Sequence, residues 1–186
     1  MQLAAQNRPC LFLDRDGVII CDRGYVYKIE ECEIISESVE IIKWANAKGM
    51  LVIVLTNQSG IAKGYYTVEQ YKIFEQYLNF ELIKRKAFID DWFFCPYHDE
   101  GTNPLYTLNS NLRKPKPGML YEALKKYKID LEKSIMIGDK RTDVLEDVKL
   151  KTFLIKGNYD LANIVVGEDV VIFNNHRELL AYIKSL

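Results

Sequence analysis

Apolar runs that stop abruptly on a polar residue set the strongest limit on how this chain can fold. "PCLFL" ends at Asp14, "MLVIVL" at Thr56 and "SIMI" at Gly138-Asp139. Runs this short and this apolar predict strands buried on both faces of a sheet. Helical patterns lie between them. "SESVEIIKWANAKG" reads as a helix with Ser36 or Ser38 as N-cap and Gly49 just past its end. Thr67 and Gln70 have capping-box spacing, and Val68, Tyr71, Phe74, Leu78 and Leu82 follow at helical intervals. "IDDWFF" predicts another strand, Pro117 opens a helix through "GMLYEALKKY", and a helix is expected from about Arg141. "TFLI", "VVIF" and a closing helix "HRELLAYIKSL" complete the alternation.

Strands alternating with helices imply an α/β, three-layer, Rossmann-like fold: a central parallel sheet with helices on both faces. At 186 residues the expectation is a single domain over 1–186, with loop insertions near 17–30 and 95–113 and no separate cap domain. Such sheets bind ligands beyond the carboxyl ends of their strands, where Asp14, Thr56 and Asp139 stand. A formal net charge of −1 gives no overall field to attract nucleic acid or anionic lipid. The longest apolar run, residues 50–55, is too short to span a membrane. Four cysteines without a paired framework, and no signal-peptide core in "MQLAAQNRPC", fit a reduced cytoplasmic compartment.

Chemistry concentrates in four stretches. In "DRDG" the two-residue period of a strand aims Asp14 and Asp16 one way and Arg15 another. Two carboxylates facing one site repel unless one holds a proton or a cation lies between them. That suits a nucleophile beside a proton donor, although a solvated turn carries the same pattern. "GDKRTD" adds Asp139 and Asp143, suited to a Mg²⁺ that keeps water and phosphate on its other positions; Asp139 as a plain helix cap is the simpler reading. "TNQSG" offers a hydroxyl, an amide and backbone N–H groups of the kind that cradle phosphate, as an ordinary helix-entry loop also would. "RKPKPG" sets Arg113, Lys114 and Lys116 on a proline-stiffened stretch, where a lysine can balance a phosphoryl group.

In chain order, the acid pair, hydroxyl, lysine and second acid pair resemble the four motifs of the haloacid dehalogenase superfamily of phosphohydrolases. Within it, "FLDRDGVI", "DRGYV", "TNQSGIAKG", "FFCP", "RKPKPGM" and "IGDKRTD" are similar to the heptose 1,7-bisphosphate 7-phosphatase family, over residues 10–157 or so. Histidinol-phosphate phosphatases use the same motifs on another substrate. The resemblance implies a monomer that removes the 7-phosphate of D-glycero-D-manno-heptose 1,7-bisphosphate, a small phosphorylated sugar, in ADP- or GDP-heptose precursor biosynthesis. It makes Asp14 the nucleophile, phosphorylated in the course of the reaction, and Asp16 the group that protonates the leaving oxygen and then activates water. Mg²⁺ would be held by Asp14, the Asp16 backbone carbonyl and Asp139, with Asp143 in support. Thr56 and Lys114 would steady the phosphoryl group. Asp22, Arg23, Gly24, Tyr25, Asn57, Gln58, Ser59, Arg113 and Lys140 fall where the family contacts the sugar and its second phosphate, with Arg23 standing where a histidine is common. Specificity would come from loops at 17–30, 60–66 and 95–113.

The same family often carries a structural zinc in its third loop, on three cysteines and a histidine. Here Cys95 remains, but Tyr97, Ser110 and Leu112 occupy the other positions and His98 is one residue out of register. Tetrahedral zinc needs four good ligands, so the expectation is a zinc-free loop held by packing of Leu105, Tyr106, Leu108 and Leu112. Two readings of another class are a receiver-type signalling domain and a catalytically silent phospho-binding scaffold. Against the first, the third strand ends in Cys95-Pro96 with no acid to accept phosphate. Against the second, all four motifs are intact.

Overall fold

The computed structural model describes residues 7–162, 164 and 168–185. Its elements are β1 (Cys10–Leu13), α1 (Ser36–Ala47), β2 (Leu51–Asn57), α2 (Val68–Lys84), β3 (Asp91–Cys95), α3 (Gly118–Lys126), β4 (Ile135–Gly138), β5 (Lys151–Ile155), β6 (Val170–Phe173) and α4 (His176–Lys184). All six strands are parallel, in the order β3-β2-β1-β4-β5-β6. Strand alternation divides the core. Leu11, Leu13, Val52 and Val54 pack against Ile41, Ile42, Phe74, Leu78, Leu82, Leu179 and Ile183 of α1, α2 and α4. Cys10, Phe12, Leu51, Ile53 and Leu55 face Met119, Leu120 and Ala123 of α3. Three layers result, and among the described residues none forms a separate cap.

The Thr67–Gln70 capping box forms, with Gln70 N donating to Thr67 Oγ1 at 3.2 Å and Thr67 N donating to Gln70 Oε1 at 2.8 Å. Such a cap contributes about 1 kcal/mol. At α1 the expected serine caps are absent. Ile35 occupies the N-cap, and the Ser38 hydroxyl instead donates to Val18 O, tying the helix to the loop after β1. The helix expected from Arg141 is a single 3₁₀ turn, Arg141–Asp143. The chain cannot wind on there, because Glu146 N donates to Pro115 O at 2.9 Å and Asp147 takes a left-handed conformation, φ 56°.

The order of strands places the site. The chain runs outward from β1 to β2 on one side and to β4 on the other, so a crevice opens at the carboxyl end of β1. Leu13 pairs with Val54 and Ile137, which brings the residues after all three strands to one edge.

Candidate active site

Asp14 lies at the centre, only 4% exposed. Its Oδ1 accepts from Arg15 N at 2.8 Å and pairs with Lys114 Nζ at 3.2 Å. Burial alone would raise its carboxyl, but Lys114 and Lys140 hold it below the usual range. Lys114 is itself buried and also donates to Asp143 Oδ1 at 2.5 Å; the two carboxylates keep its proton on despite desolvation. Asp143 turns its other oxygen to two backbone donors, Asp139 N at 3.1 Å and Lys140 N at 3.0 Å. It is therefore a brace, with both oxygens engaged.

Asp139 is different. Its Oδ1 is buried and accepts no hydrogen bond, and burial beside Asp14 pushes its carboxyl up to about 8. One carboxylate oxygen from each of Asp14, Asp139 and Asp143 lies within 4.8 Å of the others. A bare buried oxygen among close carboxylates fits a divalent cation, and with Asp143 engaged, Asp14 and Asp139 are the acids free to hold it. Gly17 makes room for this cluster. Its φ is +79°, and a Cβ there would sit 2.1 Å from Asp139 Oδ2. Gly17→Ala is expected to lower stability by about 1–2 kcal/mol from the left-handed backbone alone, and further through the displaced carboxylate. The midpoint of urea unfolding checks this.

Arg15 explains how the second acid of "DRDG" avoids repulsion. Its guanidinium is fully buried, 5.0 Å from the Phe74 ring centroid and 5.7 Å from that of Tyr71, and reaches back to Asp16 Oδ1 at 2.7 Å. Asp16 Oδ2 accepts from Gln58 Nε2 at 3.1 Å. Gln58 also donates to Thr56 Oγ1 at 2.8 Å and accepts from the Tyr66 hydroxyl at 2.6 Å, so its amide orientation is fixed. Asn57 is engaged in the same way: Lys114 N donates to its Oδ1 and its Nδ2 donates to Lys114 O, both at 3.0 Å. The amides of Asn57 and Gln58, expected on substrate, thus brace Lys114 and Asp16.

A cavity of about 520 Å³ opens above Asp16. Of the expected substrate residues, Asp22, Gly24, Tyr25, Asn57, Gln58, Ser59, Arg113 and Lys140 line it. Arg23 does not; it is exposed and pairs with Glu33. Lys140 is shared between Asp22 at 3.2 Å and Asp139 at 3.7 Å. The wall also holds Lys63, Tyr66, His98, Arg141, Thr142, Tyr159 and Asp160; Lys63, Arg141 and Thr142 lie within the motifs and Tyr66 and His98 within the loops at 60–66 and 95–113, but none was expected on substrate by itself. Lys63 donates to the Tyr25 hydroxyl at 2.9 Å and Arg113 reaches Tyr97 O at 3.5 Å, and among the described residues neither has a carboxylate partner. Burial lowers the His98 imidazole, and Arg113 and Lys63 nearby lower it further.

The loop from 96 to 113 is held differently from the expectation. Leu105 and Leu108 are exposed, at 78% and 44%, and only Tyr106 and Leu112 pack inward. Backbone hydrogen bonds hold the loop instead. Thr102 N and Asn103 N both donate to Ala62 O, at 2.8 and 2.9 Å, and Thr102 Oγ1 donates to Lys63 O at 3.0 Å. Cys95 is buried at the end of β3, its thiol 3.8 Å from Tyr97 O.

Fold and site together define a parallel α/β protein with a buried lysine and a cluster of three carboxylates at the carboxyl ends of its central strands. A family model for haloacid dehalogenase-like hydrolases matches residues 3–145, and the chain belongs to that family. It is a phosphatase. A D-glycero-beta-D-manno-heptose-1,7-bisphosphate 7-phosphatase of Pasteurella multocida is 40% identical over 152 residues, 80% of this chain and 82% of that one. The corresponding alpha-anomer phosphatase of Photorhabdus laumondii is 36% identical over 167 residues, 88% and 90% of the two chains. Among solved structures, a D,D-heptose 1,7-bisphosphate phosphatase of B. bronchiseptica, complexed with magnesium and phosphate, superposes with a TM-score of 0.79. It covers 95% of this chain and 98% of its own at 22% identity, a likeness of fold. No helix among the described residues is long and apolar enough to cross a membrane.

Proposed function

We propose that this phosphatase is Mg²⁺-dependent and removes the 7-phosphate of D-glycero-D-manno-heptose 1,7-bisphosphate. Asp14 is the nucleophile. Its hydrogen bonds from Arg15 and Lys114 both fall on Oδ1, which leaves Oδ2 for attack on phosphorus. As that bond forms, the bond from phosphorus to the sugar oxygen breaks, and Asp16 supplies the proton that the departing alkoxide needs. Water then attacks the aspartyl phosphate, Asp16 takes the water's proton, and inorganic phosphate leaves with Asp14 restored. Lys114 balances charge beside the transferring group throughout. Mg²⁺, when held by Asp14, Asp139 and the Asp16 backbone carbonyl, supplies charge neutralisation between carboxylate and phosphate.

The observation that carries the substrate is a set of cations without carboxylate partners among the described residues, Lys63, Arg113 and Arg141, in the cavity that opens above Asp16. Lys114 already serves the transferring phosphoryl group, so these three suit a second anion, and guanidinium binds phosphate bidentately. Histidinol phosphate would bring an ammonium group to the same place, against like charge. The names of the relatives, which include both anomers, support the bisphosphate.

The test is phosphate release with Mg²⁺ from both heptose bisphosphate anomers and from histidinol phosphate. Heptose bisphosphate is expected to lead, and a higher kcat/KM on histidinol phosphate sinks the substrate assignment. Arg113→Ala and Lys63→Ala are each expected to raise KM for the bisphosphate by about tenfold while kcat changes less. Equal loss on a monophosphate would instead place both cations at the reacting group.

A further inference from the structure

We propose that Tyr159, on the loop after β5, is a specificity-determining residue for the hydroxylated sugar body of the substrate, an inference that rests on the sugar-phosphate reading. The geometry centres on Asp22, whose carboxylate lines the cavity. Gly24 N donates to one of its oxygens at 2.8 Å. The other accepts from Tyr159 Oη at 2.8 Å and Lys140 Nζ at 3.2 Å. Asn158 Nδ2 donates to the Asp22 backbone carbonyl at 2.9 Å, so the loop after β5 holds Asp22 by both backbone and side chain.

A carboxylate offers about four acceptor positions, and three are taken, leaving room for a substrate hydroxyl. The Tyr159 ring is anchored at its hydroxyl and by Lys140 Nζ, 4.4 Å from its centroid, yet 42% of the residue is exposed. An anchored, partly exposed ring in the cavity lining is a surface against which the C–H face of a sugar can lie. Tyr159 bonds to Asp22 and not to Asp14 or Asp139, and meets those acids only through Lys140, which lies 3.7 Å from Asp139 Oδ1, so Tyr159 sorts substrates by the sugar and not by the reacting phosphate.

The experiment compares Tyr159→Phe and Tyr159→Ala on heptose bisphosphate and on p-nitrophenyl phosphate, which has no sugar hydroxyls. Tyr159→Phe keeps the ring and loses the donor, and is expected to raise KM for the sugar by about three- to tenfold; Tyr159→Ala removes the wall as well and should exceed tenfold or so. Turnover of p-nitrophenyl phosphate is expected to fall by less than about threefold in both variants, which also reports that they fold. Parallel losses on the two substrates would make Tyr159 merely structural, and a sugar KM within about twofold of the parent for Tyr159→Ala would make it a bystander; either overturns the inference. The parent enzyme's own choice between heptose bisphosphate and histidinol phosphate tests the substrate assignment separately.

Discussion

Asp14→Asn is expected to abolish phosphate release, with kcat falling at least a thousandfold or so. An amide has almost the shape of a carboxylate but cannot form the acyl phosphate, so the loss belongs to chemistry and not to packing. Lys114 keeps its contact with Asp143 in the variant, so the buried ammonium retains one counter-charge. Mg²⁺-dependent phosphate release, with acid-quenched trapping of the phosphorylated parent, is the measurement. Retention of more than about a tenth of parental activity would rule out Asp14 as nucleophile.

The second large effect is expected at Lys114. This ammonium is 2% exposed and stands between Asp14 at 3.2 Å and Asp143 at 2.5 Å. Lys114→Met removes the counter-charge from two buried acids while roughly keeping the volume. Breaking a buried ion pair on one side typically destabilises by about 3–5 kcal/mol, and losing charge balance at the phosphoryl group should lower kcat by about a hundredfold or more. Mg²⁺ should recover part of the stability, because a cation that binds only the folded state shifts the equilibrium toward it. Urea unfolding with and without Mg²⁺, beside the phosphate assay, separates the two effects. A variant as stable as the parent without Mg²⁺ would mean that the cluster is neutralised by some other route.

The parts of this molecule that were legible in the sequence are those governed by short-range rules. Buried strands announce themselves as apolar runs, and the residue that ends each run must sit at the sheet's edge; Asp14 and Asp139 follow from that alone. Thr67 and Gln70 are three residues apart, so their capping box is readable as text. The burial of Arg15 was not readable, because its partners Tyr71 and Phe74 lie on another element. Asn57 and Gln58 were visible as turn residues, but an amide's partner decides its job, and the partner of Asn57 is 57 positions away. Lys63 stands on a local turn, Lys63 N donating to Ser59 O, but what faces it is set by the distant loop at 102–103, and Tyr159 is set by its bond to Asp22, 137 positions away. The 3₁₀ turn at Arg141 is the same lesson reversed: local pattern suggested a helix, and a distant carbonyl, Pro115 O, drew the chain away.

The stitching of the 96–113 loop to Ala62 and Lys63 bears on how the enzyme selects. Thr102 and Asn103 tie the loop that leads to Arg113 onto Ala62 and Lys63, so the two segments that carry these cations are joined before any ligand arrives. On the proposed bisphosphate reading, a wall held in this way offers its cations to a second anion already in place, which spares the ordering cost that a loose loop would add on binding.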